Sequence, residues 1–140
     1  MKNRDEQKKH GNCMDGIVID LFVESRYQVN RKKIKLAVTQ LLIEQGIAGP
    51  AELSVAVVGD RKMRGLYKKY KGEDKTTNVL SFPLAEGKST HLPTNVLRLG
   101  DVVISYPQII KEAARDDVMV DEKIEELILH GTRHLLGIHH

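Results

Sequence analysis

The stretch Asp121-Glu-Lys-Ile124-Glu-Glu-Leu127-Ile128-Leu-His130-Gly-Thr-Arg-His134-Leu135-Leu-Gly137-Ile-His139-His140 decides how this chain is read. Val120 or Asp121 opens a helix, and Ile124, Leu127, Ile128 and Leu135 recur along it as one apolar stripe. The stripe predicts a buried, rigid element, which is the support a precise site requires. His130 and His134 stand four residues apart on this helix, so their imidazoles share a face and can converge on one point. A third ligand from the same ridge would crowd them. Gly137 readily takes the left-handed conformation that ends a helix, so the chain can turn back and offer His140. Three neutral imidazoles suit zinc and leave a fourth position for water, as catalytic zinc sites do.

Working outward from this helix, the rest of the chain punctuates clearly. Ile17 to Val23 alternates and is rich in branched residues, which predicts a strand. Asn30 caps a helix to about Gln45, with Ile34, Leu36, Ala37, Leu41 and Leu42 as its apolar face. Gly46 and Gly49-Pro50 break the chain before Leu53 to Val58, an apolar run expected of a strand covered on both faces. Asp60 caps a short helix through Tyr70 that Gly72 ends. Thr77 to Phe82 predicts a third strand stopped by Pro83, residues 85–97 a loop, and Leu99 to Ser105 a fourth strand. A helix from Tyr106 to about Arg115 precedes the last one. The order β-α-β-α-β-β-α-α predicts an α+β fold: a mixed four-stranded sheet with four to five helices and the metal site on the C-terminal helix.

With 140 residues, one domain is expected, covering 15–140 after a polar tail at 1–14. A chain of this size buries roughly two-thirds of its unfolded surface, so no metal staple is needed to hold the core. A hydrophobic share of 41% beside 29% charged residues is ordinary for a globular chain. The single cysteine, Cys13, excludes an internal disulfide and reads as an incidental thiol in a reducing compartment. Met1 to Asn12 is too polar for a signal peptide and no apolar run reaches a membrane span, so a cytoplasmic site is expected.

The net charge of +3 is unevenly spread. Arg61, Lys62, Arg64, Lys68, Lys69, Lys71 and Lys75 crowd one segment, against only Glu73 and Asp74. Taken alone such a run is a solvated helix face, but it also suits a phosphate backbone. Aromatic residues are few (Phe22, Tyr27, Tyr67, Tyr70, Phe82 and Tyr106), so extended base stacking is not expected.

The histidine spacing is similar to that of metzincin proteases, but their glutamate directly after the first histidine is Gly131 here. Without that general base a peptidase is an outside reading. A tag-like, frayed terminus is the competing reading for His139 and His140, but not for His130 and His134 within the helix. Asp101 reads equally as a carboxylate orienting a ligand histidine or as a structural strand residue. Glu126, four residues before His130, reads as a solvated glutamate. Ser81 can line a cleft, but as a nucleophile it has no triad partner. His10 and His91 read as bystanders.

Three blocks, in order, carry a resemblance. They are Lys69-Tyr-Lys-Gly-Glu-Asp-Lys-Thr-Thr-Asn-Val-Leu-Ser-Phe-Pro83, Leu99-Gly-Asp-Val-Val-Ile104 and His130 to His140. They resemble the Y-R-G-x-D-x-P-T-D-V-L-S-F-P, L-G-D-I-x-I and H-G-x-L-H-L-x-G-Y-D-H stretches of the YbeY-type rRNA maturation factors, bacterial metallo-endoribonucleases specific for single strands. The likeness spans nearly everything after residue 15. It implies one Zn2+ per chain, held by His130, His134 and His140. It also implies that Lys71 stands where an arginine usually holds the RNA phosphate. Lysine keeps the charge but loses the bidentate fork. His139 stands in place of aspartate, and Thr76 in place of proline.

The resemblance implies cleavage of single-stranded RNA in rRNA maturation and ribosome quality control, with rRNA and the small ribosomal subunit as partners and no DNA or membrane. Zinc lowers the pKa of bound water to near 7, which supplies a nucleophile without a strong protein base. The RNA's own 2′-hydroxyl is the other candidate. Lys71 and His130 are the expected catalytic residues, and Lys71, Arg64, Arg133 and Ser81 the expected substrate contacts. Two other readings stand beside this one: a zinc-containing ribosome-assembly or RNA-binding factor with weak or no catalysis, and a metal-dependent hydrolase of another substrate.

Overall fold

A computed structural model describes residues 16–84 and 96–138. The expected tail, most of the 85–97 loop, and Cys13, His10, His91, His139 and His140 lie outside the described residues. In chain order the elements are β1 (Ile17–Val23), α1 (Arg31–Glu44), β2 (Ala51–Val58), α2 (Asp60–Lys71), β3 (Val79–Pro83), β4 (Leu97–Ser105), α3 (Tyr106–Asp116) and α4 (Val120–Leu135). The strands form one sheet in the order β1-β2-β4-β3. β2 pairs in parallel with both β1 and β4, because a helix lies between successive parallel strands, whereas β3 runs antiparallel to β4. The sequence-predicted order and α+β class are the ones observed, with four helices among the described residues.

Strand alternation then gives the sheet two unlike faces. Ile17, Ile19 and Val23 of β1, Leu53, Val55 and Val57 of β2, and Val102 and Ile104 of β4 are buried on one face. Ile34, Val38 and Leu42 of α1 and Ile124, Leu127 and Ile128 of α4 close over them to form the main core. On the other face α2 covers only one side, with Met63 buried against Val58, Leu80 and Val103. β2 is therefore not covered on both faces along its length: Glu52, Ser54 and Ala56 are only half-buried. Beyond α2 the open face is a groove of about 780 Å³, lined by residues including Asp20, Phe22, Ser54, Phe82 and Asp101.

Local chemistry explains most element ends. The Asn30 side chain accepts from the Lys33 amide at 3.0 Å, starting α1 as expected. Leu36 departs from expectation: it is 64% exposed while Val38 is fully buried, since two residues of helix rotate a side chain by about 200°, to the opposite face. Asp60 also departs. Gly59 is the N-cap of α2, and the Asp60 carboxylate instead reaches across to other elements. The third strand keeps Pro83 at its end, tolerated because β3 is an edge strand. Opposite Pro83, the pairing of β2 with β4 shifts register between Glu52 and Leu53. Gly100 sits there at φ 132°, and a Cβ would lie 2.3 Å from the Phe82 carbonyl, so only glycine fits.

Candidate functional site

α4 arrives at the sheet edge as a helix with one buried and one open ridge. Ile124 and Ile128 sit in the core, and the next turn places Gly131 and Thr132 against the sheet. The Thr132 hydroxyl is buried and donates to the Ile128 carbonyl at 2.8 Å, which satisfies it within the helix. This orientation turns His130 and His134 outward, where both are exposed. Their rings stand 4.6 Å apart between centroids, inclined at 53°. The helix ends as its sequence implies. Gly137 takes φ 83°, its amide bonds to the His134 carbonyl at 3.0 Å, and the Ile138 amide to that of Arg133 at 2.9 Å. That paired closure is a Schellman turn, and it redirects the chain just before His139 and His140.

Gly131 explains why no glutamate follows the first histidine. A Cβ at this position would meet Val102 Cγ1 at 2.7 Å and Ser81 Oγ at 3.0 Å. The helix therefore presses its backbone onto β3 and β4, and Ser81 Oγ donates to the Gly131 carbonyl at 3.1 Å. Ser81 thus joins strand to helix at the floor of the cleft beneath the histidines.

The cleft itself has a volume of about 350 Å³, and Tyr67, Tyr70, Lys71, Ser81, His130 and His134 are among the residues around it. Lys71 enters from the last turn of α2, whose end is set by Gly72 in the left-handed conformation. Lys68, Lys69 and Lys71 share that turn, so their charges also complement the negative end of the helix dipole. The structure brings Lys71, Ser81, His130 and His134 to one place from sites as far apart in sequence as Lys71 and His134.

Other expected contacts lie elsewhere. Arg64 pairs with Asp74 at 3.4 Å on the surface of α2 and is not among the residues around this cleft. Arg133 lies with His130 around a neighbouring polar cavity of about 420 Å³, together with Glu112, Arg115 and Lys123. Asp101 is exposed in the groove on the opposite sheet face, because it alternates with Val102, which faces α4; the role of orienting a ligand histidine does not fit. Glu126 pairs with Lys123 Nζ at 3.1 Å, in keeping with its reading as a solvated helix glutamate.

Sequence reading missed two features. Tyr67, Tyr70, Thr77 and Phe82 border the cleft, and only the adjacency of Tyr70 to Lys71 hinted at this. The second is the polar knot at Asp60. Its carboxylate accepts from Ser105 Oγ at 2.8 Å, from Gln108 Nε2 at 3.1 Å and from Thr76 Oγ1 at 3.1 Å. Burial alone would raise this carboxyl's pKa, but the bonds from Ser105, Gln108 and Thr76, with the charge of Lys111, outweigh it and hold the pKa below the ordinary value. The knot anchors the loop between Lys71 and β3 to α3 and β4.

As a metal centre, the described part supplies two nitrogen donors. Among the described residues, no group of three or more His, Cys, Asp or Glu side chains comes together as a metal site. The donor chemistry still fits zinc: two exposed imidazoles on one ridge face an open cleft, and two further histidines follow Gly137 in the sequence.

A mixed sheet with a histidine pair on its last helix, sharing a cleft with a lysine from α2, defines an α+β fold with a candidate hydrolytic site. The chain belongs to the family described as Endoribonuclease YbeY, which it matches over residues 22–140. It is 33% identical to the Endoribonuclease YbeY of Roseiflexus castenholzii, over 89% of this chain and 80% of that protein. With the Persephonella marina protein of the same name, identity is 34% over 91% of this chain and 80% of the relative. With that of Magnetococcus marinus it is 36%, over 65% of each. The fold is similar to the solution structure of TM1509 from Thermotoga maritima, with a TM-score of 0.59 at 21% identity over 88% of this chain and 75% of that one. No helix among the described residues is long and apolar enough to cross a membrane.

Proposed function

We propose that this chain is a zinc-dependent endoribonuclease that cleaves single-stranded RNA in rRNA maturation and ribosome quality control, working with the small ribosomal subunit. The observation that carries the reading is the convergence of Lys71 with His130 and His134 around one open cleft. Membership of the Endoribonuclease YbeY family supports the reaction type. In this reading His130, His134 and His140 hold one Zn2+, which when bound supplies Lewis acidity beside the scissile phosphate.

The chain's own residues do the rest. Lys71, at the end of α2, neutralises a non-bridging phosphate oxygen as negative charge builds up. As a flexible point charge it holds the phosphate less rigidly than an arginine fork. Arg133, beside His130 on the neighbouring cavity, meets an adjoining phosphate. Ser81 positions, by holding the Gly131 carbonyl, and does not attack. Gly131 leaves no glutamate to take up a proton, so the peptidase reading has no base.

The test is cleavage of a labelled single-stranded RNA by the full chain, with and without chelator, and by His134→Ala. Cleavage lost on chelation, restored by Zn2+ and absent in His134→Ala is the expected result. Cleavage that survives both treatments would falsify the metallonuclease reading. RNA binding that persists without any cleavage would point instead to an RNA-binding assembly factor.

A further inference from the structure

Tyr70 lies between two concavities. It borders the histidine cleft together with Lys71, and it also lines the larger groove on the open sheet face. Its ring packs against Phe82 at 4.8 Å between centroids, inclined at 53°. Phe82 is itself half-buried in the satellite core, so this support is firm. Yet Tyr70 is 55% exposed. An aromatic ring propped from behind and left open to solvent, one residue from the phosphate-binding lysine, is the geometry of a stacking platform.

Charge orients a ligand across it. On the cleft side stands Lys71, while Lys69 lies over the Tyr70 ring itself, with Nζ 5.4 Å from its centroid. On the groove side the charged residues are Asp20 and Asp101, which repel phosphate. A strand whose phosphates follow the lysines therefore keeps its backbone in the cleft, and only an uncharged, flat group crosses the Tyr70 rim.

We propose that Tyr70, backed by Phe82, is a nucleobase-binding subsite: the base next to the scissile phosphate unstacks from its neighbour and stacks on Tyr70. The proposal rests on the RNA reading above and adds to it a reason for single-strand preference. A base held in a duplex is paired and cannot leave its stack without cost. Lys69 is exposed and free to swing to a phosphate as the base covers the ring. One platform serves one base, so the subsite tolerates any sequence, since every base has a π-face.

The experiment measures binding and cleavage of short single-stranded RNAs by the full zinc-loaded chain, comparing Tyr70→Leu and Tyr70→Phe with the wild type. Each oligonucleotide carries one abasic residue, moved position by position past the cleavage site. Tyr70→Leu weakens binding about 5- to 150-fold on intact RNA, while Tyr70→Phe stays near the wild type. One abasic position reproduces the loss in the wild type and adds nothing further in Tyr70→Leu. That non-additivity is a readout that a misfolded rim does not mimic. The salt dependence of binding is unchanged in Tyr70→Leu but shallower in Lys71→Ala. Wild-type cleavage with Tyr70→Leu binding indistinguishably, or with additive losses at every abasic position, overturns this proposal and leaves the nuclease reading intact. A wild type that neither binds nor cleaves RNA overturns both.

Discussion

Ser81 Oγ donates to the carbonyl of Gly131 across 3.1 Å, joining the Leu-Ser-Phe-Pro strand to the histidine helix one residue after His130. The contact exists because residue 131 has no side chain, and it sets how closely α4 lies on the sheet. The cleft geometry depends on that close approach.

Gly131→Ala destabilises the protein by about 1 kcal/mol: overpacking against Val102 costs typically 1–3 kcal/mol and the better helix propensity returns up to about 1. Gly65→Ala is the matched control. Gly65 is exposed on α2 with nothing within 4 Å of a built Cβ, so the same exchange there stabilises by about 0.5–1 kcal/mol. Urea unfolding of the two variants should move the midpoint in opposite directions; movement in the same direction refutes the packing argument.

Ser81→Ala costs about 0.5–1.5 kcal/mol, the usual net value of one hydrogen bond. RNA cleavage should persist within about tenfold, as expected of a positioning residue. An RNA-cleavage loss as large as that of His134→Ala would make Ser81 a reacting group.

Lys71→Ala should lower the rate of RNA cleavage by about 10²- to 10³-fold, the range seen when one donor to a developing anion is removed. Lys71→Arg should equal or exceed the wild type, because the guanidinium fork meets phosphate in two bonds. Rate measurements at fixed salt, with circular dichroism to confirm folding, decide this. An unaffected Lys71→Ala assigns the phosphate contact to another residue.

The Asp60 knot makes a pH-dependent contribution. The folded carboxyl titrates below its ordinary value of 3.8, so near that pH the unfolded chain binds more protons than the folded one. Its stabilisation is fully present above the unfolded value and is lost as pH falls through the lower, folded one. Asp60→Asn should cost about 1 kcal/mol near neutral pH, after allowing for the partial exposure of the site. The difference from the wild type should shrink as pH drops below about 4. A constant difference from pH 7 to pH 3 rules the ionised knot out.

How much was legible differs from residue to residue. Local chemistry was enough for α1 to start at Asn30, for α2 to end at Gly72, and for Gly137 to close α4 in the left-handed conformation. The helical repeat of Ile124, Leu127 and Ile128 likewise gave both the buried stripe and the outward ridge of His130 and His134. Such features are short-range: a cap, a turn or a repeat acts within a few residues. Leu36 was misread because a propensity for apolar residues says nothing about which side of a helix meets the core.

The sequence by itself determined the order of elements, the α+β class, the histidine pair and the family blocks that surround them. Only the tertiary structure decided that Asp101 faces away from α4, that Asp60 serves the loop after α2 rather than its N-terminus, and that Tyr70 lines the same cleft as Lys71 and the histidines. The reason is physical. Strand alternation, a register shift at Gly100 and the approach permitted by Gly131 depend on partners far away in the chain, and no local pattern encodes which partner a side chain meets.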